Sequence, residues 1–173
     1  MASKMIMPFG LVVQPVGLKD MSMQEAYNTI VHMLERLHRH FLDVLRAELR
    51  RMNVNDINAV QALLLSNIGD QDVVIRDLKD RGYYHGSNVS YNIKKLTEFG
   101  YINQERAEHD RRATQLRLTK KGMDLCHAIR DLQKRLAESL NSTAGASENE
   151  LRQADEVLQK LERTWTDHIR YGR

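Results

Sequence analysis

The sequence predicts a mainly α fold with one small β-hairpin, and three observations predict it. Apolar residues recur at helical spacing through most of the 173 residues. Two short segments, Tyr101 to Arg106 and Thr114 to Leu118, alternate apolar and polar side chains instead. Capping boxes of the Ser-x-x-Glu kind and glycine stops mark where helices begin and end.

Met1 to Asp20 mix apolar residues with proline and glycine and read as an extended arm. Ser22 and Glu25 form a capping box. Beyond it Met23, Tyr27, Ile30, Leu34, Leu37, Phe41, Val44, Leu45, Leu49 and Met52 keep a helical period, so one long helix runs to about Arg51. A second helix is expected from near Asn55, carrying Ile57, Val60, Leu63 and Leu64 toward the core and ending around Asn67-Ile68-Gly69. A third is expected from Gln71 or Asp72 through Val74, Ile75 and Leu78 to the stop at Gly82.

Tyr83-Tyr84-His85-Gly86 reads as a turn, and Ser87 as the N-cap of a fourth helix that ends at Phe99-Gly100. On that helix Val89, Ile93 and Leu96 fall within about 60° of one another at 100° per residue. Its opposite face carries Ser87, Asn88, Ser90, Tyr91, Lys94, Lys95 and Glu98. The two alternating segments follow as strands, with Ala107 to Ala113 as a polar link long enough for a loose hairpin. Thr119 caps a fifth helix with Leu125, Ile129, Leu132, Leu136 and Leu140 on its stripe. After a loop of small residues, Ser147 and Glu150 form a second capping box. It opens a last helix with Leu151, Ala154, Leu158, Leu161, Trp165 and Ile169.

The composition, 42% hydrophobic and 28% charged with two prolines and nine glycines, is that of one ordinary globular domain and excludes a disordered or fibrous chain. No apolar run approaches the roughly 18 residues of a membrane-spanning helix, and Pro8, Gly10 and Pro15 interrupt the apolar start. A basic n-region followed by an uninterrupted apolar stretch is missing, so no secretory signal is read. The single cysteine, Cys126, excludes an intramolecular disulfide and a cysteine-built zinc cage, which fits a reducing cytoplasm.

The charge is uneven. Lys79 to Lys121 hold ten basic and five acidic residues, +5, leaving −2 of the formal +3 for the rest of the chain. A basic segment on an otherwise balanced protein points to a polyanionic partner, and the competing reading is a solvated charged face. The order of elements decides between them. Short helices joined by a turn, the last with a polar and basic outer face, followed by a basic hairpin, form the winged helix-turn-helix plan. Its helix fits the major groove of duplex DNA, where Asn, Ser and Lys meet base edges and phosphates. Its hairpin, with Arg111, Arg112 and Thr114, reaches the flanking minor groove. Asp110 opposes phosphate binding there, so it needs a structural reason. The expectation is a pairing with an adjacent arginine, Arg112 before Arg111, against the plainer reading of a turn aspartate.

The chain also resembles the MarR family of bacterial transcription regulators. The resemblance rests on Leu96-Thr97-Glu98-Phe99-Gly100-Tyr101-Ile102, on Asp110-Arg111-Arg112 and on Leu118-Thr119-Lys120-Lys121-Gly122, and spans Ser22 to the C-terminus. It implies a homodimer in which the first and last two helices interlock, a pseudo-palindromic operator, and release by a small phenolic or aromatic effector. Repression and activation are both compatible with these residues. The third helix and turn, Ile75 to Ser87, lack the usual Glu-Leu-Ala pattern, and the segment Gly82 to Asn92 carried instead is similar to an alphaproteobacterial branch that includes regulators of cell-wall L,D-transpeptidases. Cell-wall or stress genes are the expected targets.

These readings divide the chain into an arm (1–21), a first dimerisation helix (22–54), the winged helix-turn-helix region (55–122) and C-terminal dimerisation helices (123–173). The apolar stripes independently call for a partner, since Leu136, Leu140, Leu158, Leu161 and Trp165 exceed what a module of about 60 residues can cover. An intramolecular helical subdomain is the alternative. A helical adaptor, or a DNA-binding protein without sequence preference, are the other function classes, but an adaptor leaves the wing arginines without a role. The expected partners are double-stranded DNA, a second copy and a small effector, with no membrane, in the cytoplasm.

An enzyme is not expected: the seven histidines are scattered and no nucleophile, base and orienting group share a local spacing. His38 and His40, two apart on a helix, point to different faces, and no metal or other cofactor is expected. Cys126 reads as a small hydrophobe rather than a redox sensor. The resemblance places the effector among Met33, Leu37, Phe41, Leu63, Leu64 and Tyr84, each of which also reads as plain core, with His40 as a polar group of the cleft.

Overall fold

The computed structural model describes residues 21–68, 73–74, 86–106 and 114–172. Among them are five helices, α1 (Met23–Arg51), α2 (Ala59–Ile68), α3 (Gly86–Glu98), α4 (Lys120–Ser142) and α5 (Glu148–Tyr171). Three strands, β1 (Val73–Val74), β2 (Ile102–Arg106) and β3 (Thr114–Leu118), form an antiparallel sheet of order β1-β3-β2. The fold is thus mainly α with a small β-hairpin. The chain divides into two compact units, Met1–Val44 and Leu45–Arg173.

The first unit contains the part of α1 up to Val44. Its start is the expected capping box: the Ser22 amide donates to Glu25 Oε2 at 2.9 Å and the Glu25 amide donates to Ser22 Oγ at 3.3 Å. Met23, Tyr27, Met33 and Leu37 are exposed along it.

In the second unit α1 ends in a Schellman turn. Asn53 adopts φ 57°, and the amides of Asn53 and Val54 donate to the carbonyls of Arg50 and Leu49. A reciprocal box then starts α2: the Gln61 amide donates to Asn58 Oδ1 and the Asn58 amide to Gln61 Oε1, both at 3.0 Å. The second helix therefore begins at Ala59, not near Asn55, because Asn58 is the residue whose side chain accepts from a free amide of its first turn.

A further correction concerns the third helix. Val73 and Val74, expected inside it, are extended and pair with Leu116 and Gln115 of β3. Two adjacent β-branched residues suit a short edge strand, and β3 supplies the hydrogen bonds on its free side. The remainder of that expected helix, like the Tyr83–His85 part of the turn and the hairpin tip, lies outside the described residues.

Leu49, Ala62, Leu64, Leu65, Val89, Ile93, Leu96, Ile102, Leu116, Leu125 and Ile129 are buried and form the core of this unit. The core faces of α2, α3 and the first half of α4 thus meet the inner face of the sheet. The second half of α4 and the whole of α5 leave the core: no residue of α5 is buried.

Candidate nucleic-acid interface

Helix α3 is seated by its own sequence. Val89, Ile93 and Leu96 are almost fully buried, which fixes the rotation of the helix and turns Asn88, Ser90, Tyr91 and Lys94 outward. Tyr91 is 59% exposed, a large aromatic surface on an otherwise polar face. The helix starts two residues earlier than expected, at Gly86, so Ser87 sits in its first turn and not at the N-cap.

The two lysines on this face differ. Lys94 keeps 74% of its side chain exposed and stands 3.9 Å from Glu98, whereas Lys95, 33% exposed, donates to Glu98 Oε2 at 2.8 Å. The ammonium of Lys95 also lies 5.8 Å from the centroid of the Phe99 ring. That hydrogen bond raises the Lys95 ammonium above the usual lysine range and lowers the Glu98 carboxyl below its own. Much of the Lys95 charge is answered within the helix, and Lys94 is the more available cation.

The end of α3 is built to join the wing. Gly100, φ 73°, allows a second Schellman turn, in which the Gly100 and Tyr101 amides donate to the carbonyls of Thr97 and Leu96. β2 then leaves at once, and Gln104 Nε2 donates to Thr97 Oγ1 at 2.8 Å, tying strand to helix. β2 and β3 pair from Ile102↔Leu118 to Arg106↔Thr114, with Glu105 and Arg117 forming an ion pair at 3.6 Å on the outer face. Thr114 is half-buried at the start of β3. Asp110, Arg111 and Arg112 lie outside the described residues.

A polar knot sits under this junction. Tyr101 is buried and its hydroxyl donates to Asp56 Oδ1 at 2.7 Å. Lys121 Nζ donates to Asp56 Oδ2 at 2.6 Å and to the Phe99 carbonyl at 2.9 Å, and lies 4.0 Å from the Tyr101 ring centroid. Thr119, the expected cap of α4, accepts from the Gly122 amide and donates to the Gly100 carbonyl at 2.7 Å. A Cβ on Gly122 would collide with the Tyr101 carbonyl oxygen, so only glycine lets α4 start this close to the wing. Burial pushes the Tyr101 hydroxyl up and the Asp56 acceptor adds to it. Burial also pushes the Asp56 carboxyl up, but the hydrogen bonds from Lys121 and Tyr101 outweigh it and leave it below the usual range.

Sequence reasoning missed Asp56, Thr97 and Gln104. The pairings join residues up to 65 positions apart, which no local period reports.

The other expected sites are dispersed. Met33, Leu37 and His40 are exposed and Phe41 half-buried on α1; on α2 Leu63 is half-buried and Leu64 fully buried; Tyr84 lies outside the described residues. Leu136, Leu140 and Leu158 are each 40% exposed, Trp165 36%, and Leu161 is half-buried. Cys126 is buried, with its thiol 3.5 Å from the Leu65 carbonyl. An open cleft of about 400 Å³ borders the polar knot, lined by Met52, Val54, Tyr101, Lys120, Lys121, Asp124 and Leu125. Among the described residues, no helix is long and apolar enough to cross a membrane.

Comparison with known proteins agrees with this geometry. Residues 57–122 match the model of a winged helix DNA-binding domain. The exopolysaccharide II synthesis transcriptional activator ExpG of Rhizobium meliloti is 36% identical over 146 residues, 84% of this chain and 75% of that protein. The crystal structure of Streptococcus pneumoniae FabT in complex with DNA superposes with TM-score 0.66 at 26% identity, covering 82% of this chain and 98% of that one. A mutant MarR from E. coli complexed with operator DNA shares the fold at 15% identity, with TM-score 0.62 over 82% of this chain and 99% of that one.

Proposed function

Because the chain belongs to the MarR family of winged helix-turn-helix transcription regulators, and is a transcriptional regulator rather than an enzyme, we propose that it works in the cytoplasm as a homodimer on a pseudo-palindromic operator. The observation that carries the reading is the outer face of α3, where Asn88, Ser90, Tyr91 and Lys94 stand exposed over a buried apolar stripe and beside a paired hairpin. A helix so mounted enters the major groove with base-reading groups forward. Ser87 and Lys95 flank the contact, and Arg111 and Arg112 enter the adjacent minor groove with Asp110 aiming one of them.

The second copy covers the exposed leucines and Trp165 of α4 and α5, and two-fold symmetry sets two α3 helices one DNA turn apart. A small aromatic effector adjusts operator affinity; membership of the family supports this. The targets are cell-envelope genes. The relative named for exopolysaccharide II synthesis supports that assignment, as does the likeness of Gly82 to Asn92 to regulators of L,D-transpeptidases.

Footprinting on the DNA upstream of its own gene, repeated over a salt series, tests the reading. Protection of a palindromic site is expected, with log affinity falling linearly as log salt rises because lysines and arginines displace condensed counterions. A flat salt plot or an absence of any protected site on that DNA would count against it.

A further inference from the structure

Lys121 belongs to the basic segment and, on charge alone, reads as one more phosphate contact. Its surroundings say otherwise. The ammonium has three partners within the fold: the Asp56 carboxylate, the Phe99 carbonyl and the face of the Tyr101 ring. Phe99 directly follows Glu98, the last residue of α3, so Lys121 holds one of the carbonyls at the helix end that the helix itself cannot satisfy. Asp56 lies just before α2, and its second oxygen accepts from Tyr101, the residue at which α3 gives way to β2.

We propose that Lys121 and Asp56 are positioning residues for DNA reading, a clamp that fixes the end of α3 and the root of the wing, with the Lys121 charge spent on that clamp and not on phosphate. This rests on the DNA-binding reading above. It assigns the paired acid a positive role: an aspartate near a polyanion should weaken binding by repulsion, but this one holds the lysine that aligns the reader.

The two roles give opposite results in the full-length protein. Binding to the footprinted operator and to a random duplex is measured across a salt series for the wild type, Lys121→Met, Lys121→Arg, Asp56→Asn and the double variant Lys121→Met with Asp56→Asn. All are assayed below their thermal midpoints, with helix content checked by circular dichroism.

For a clamp, each single variant weakens operator binding by about tenfold, while random-duplex affinity and the salt slope stay close to wild type. The double variant is no worse than the poorer single one, as coupled residues behave. Lys121→Arg fails to rescue, since a planar guanidinium does not reproduce a compact ammonium seated between carboxylate, carbonyl and ring. For a phosphate contact, Lys121→Met weakens all duplexes alike and lowers the salt slope by about 0.9, Lys121→Arg restores binding, and Asp56→Asn tightens it. That pattern, or operator binding unchanged in every variant, overturns the clamp and leaves DNA reading intact. A wild type that binds no duplex removes both.

Discussion

The Asn88 side chain carries both a donor and an acceptor, the pair that a single base edge can match, whereas the Lys94 ammonium is a point charge on a flexible stem. Their replacement by alanine should therefore have different signatures. Asn88→Ala is expected to lower operator affinity by about 1–3 kcal/mol while leaving random duplex nearly unaffected, the loss of one base contact. Lys94→Ala should weaken every sequence alike and flatten the salt dependence by about one counterion. Titration of a labelled operator and a scrambled duplex reads both, and an equal loss on the two DNAs for Asn88→Ala would move Asn88 to the phosphates. The Lys94–Lys95 contrast was not legible in the sequence. The helical period puts both on the outer face, but only the structure shows Glu98 taking up Lys95. Glu98 is within reach of both lysines by spacing, and rotamers decide which it meets.

At the scale of elements, the legible signals are local, and with the exception of one capping box the missed ones are not. Ser22–Glu25 and Ser147–Glu150 announced their helices because each box closes within one turn. Asn58–Gln61 is an equivalent signal three residues apart, passed over in favour of Asn55. β1 had no local signature, since a two-residue strand exists only because β3 is beside it. The joint between α1 and α4 is likewise non-local. Glu48, nearly buried, accepts a two-pronged pair of hydrogen bonds from Arg51 at 2.7 and 2.9 Å and another from Arg135 at 2.9 Å. The Arg51 hydrogen bonds hold its carboxyl below the ordinary 4.5, burial opposes them and Arg135 assists. A depressed folded pKa contributes stability that is fully present above the unfolded value and lost as pH falls through the folded one. Glu48→Gln is thus expected to cost about 1–3 kcal/mol at pH 7. Its deficit against wild type should shrink as the pH drops below 4.5, measured by urea midpoints along a pH series. A deficit that stays constant to the lowest pH would assign the cost to packing.

For the whole molecule, the informative surface is the apolar one. Of the apolar stripe that the sequence shows with too little of its own chain to cover it, Leu136, Leu140, Leu158 and Trp165 stay exposed along α4 and α5 and Leu161 is half-buried. Their occupant by the proposal is a second copy. Leu158→Asp should therefore yield a monomer in sedimentation at micromolar concentration. Operator affinity should fall on the order of 100-fold or more, because two half-sites are no longer engaged together. A dimer that survives Leu158→Asp would place the two-fold contact elsewhere. Charge and fold class were visible in composition and period. The division of the chain at Val44 was not, since a continuous helix crosses it without any break in pattern.

Helix α5, with no buried residue of its own, has a consequence for the life of the protein. In an unassembled subunit the amides of its 24 residues are expected to exchange with solvent faster than those of the helices that carry buried residues. A helix with so little burial is expected to be where proteases cut first. If α5 is covered by the proposed second copy, subunits that have not yet paired are expected to be the ones degraded first, so that limited proteolysis cuts α5 faster as the protein is diluted.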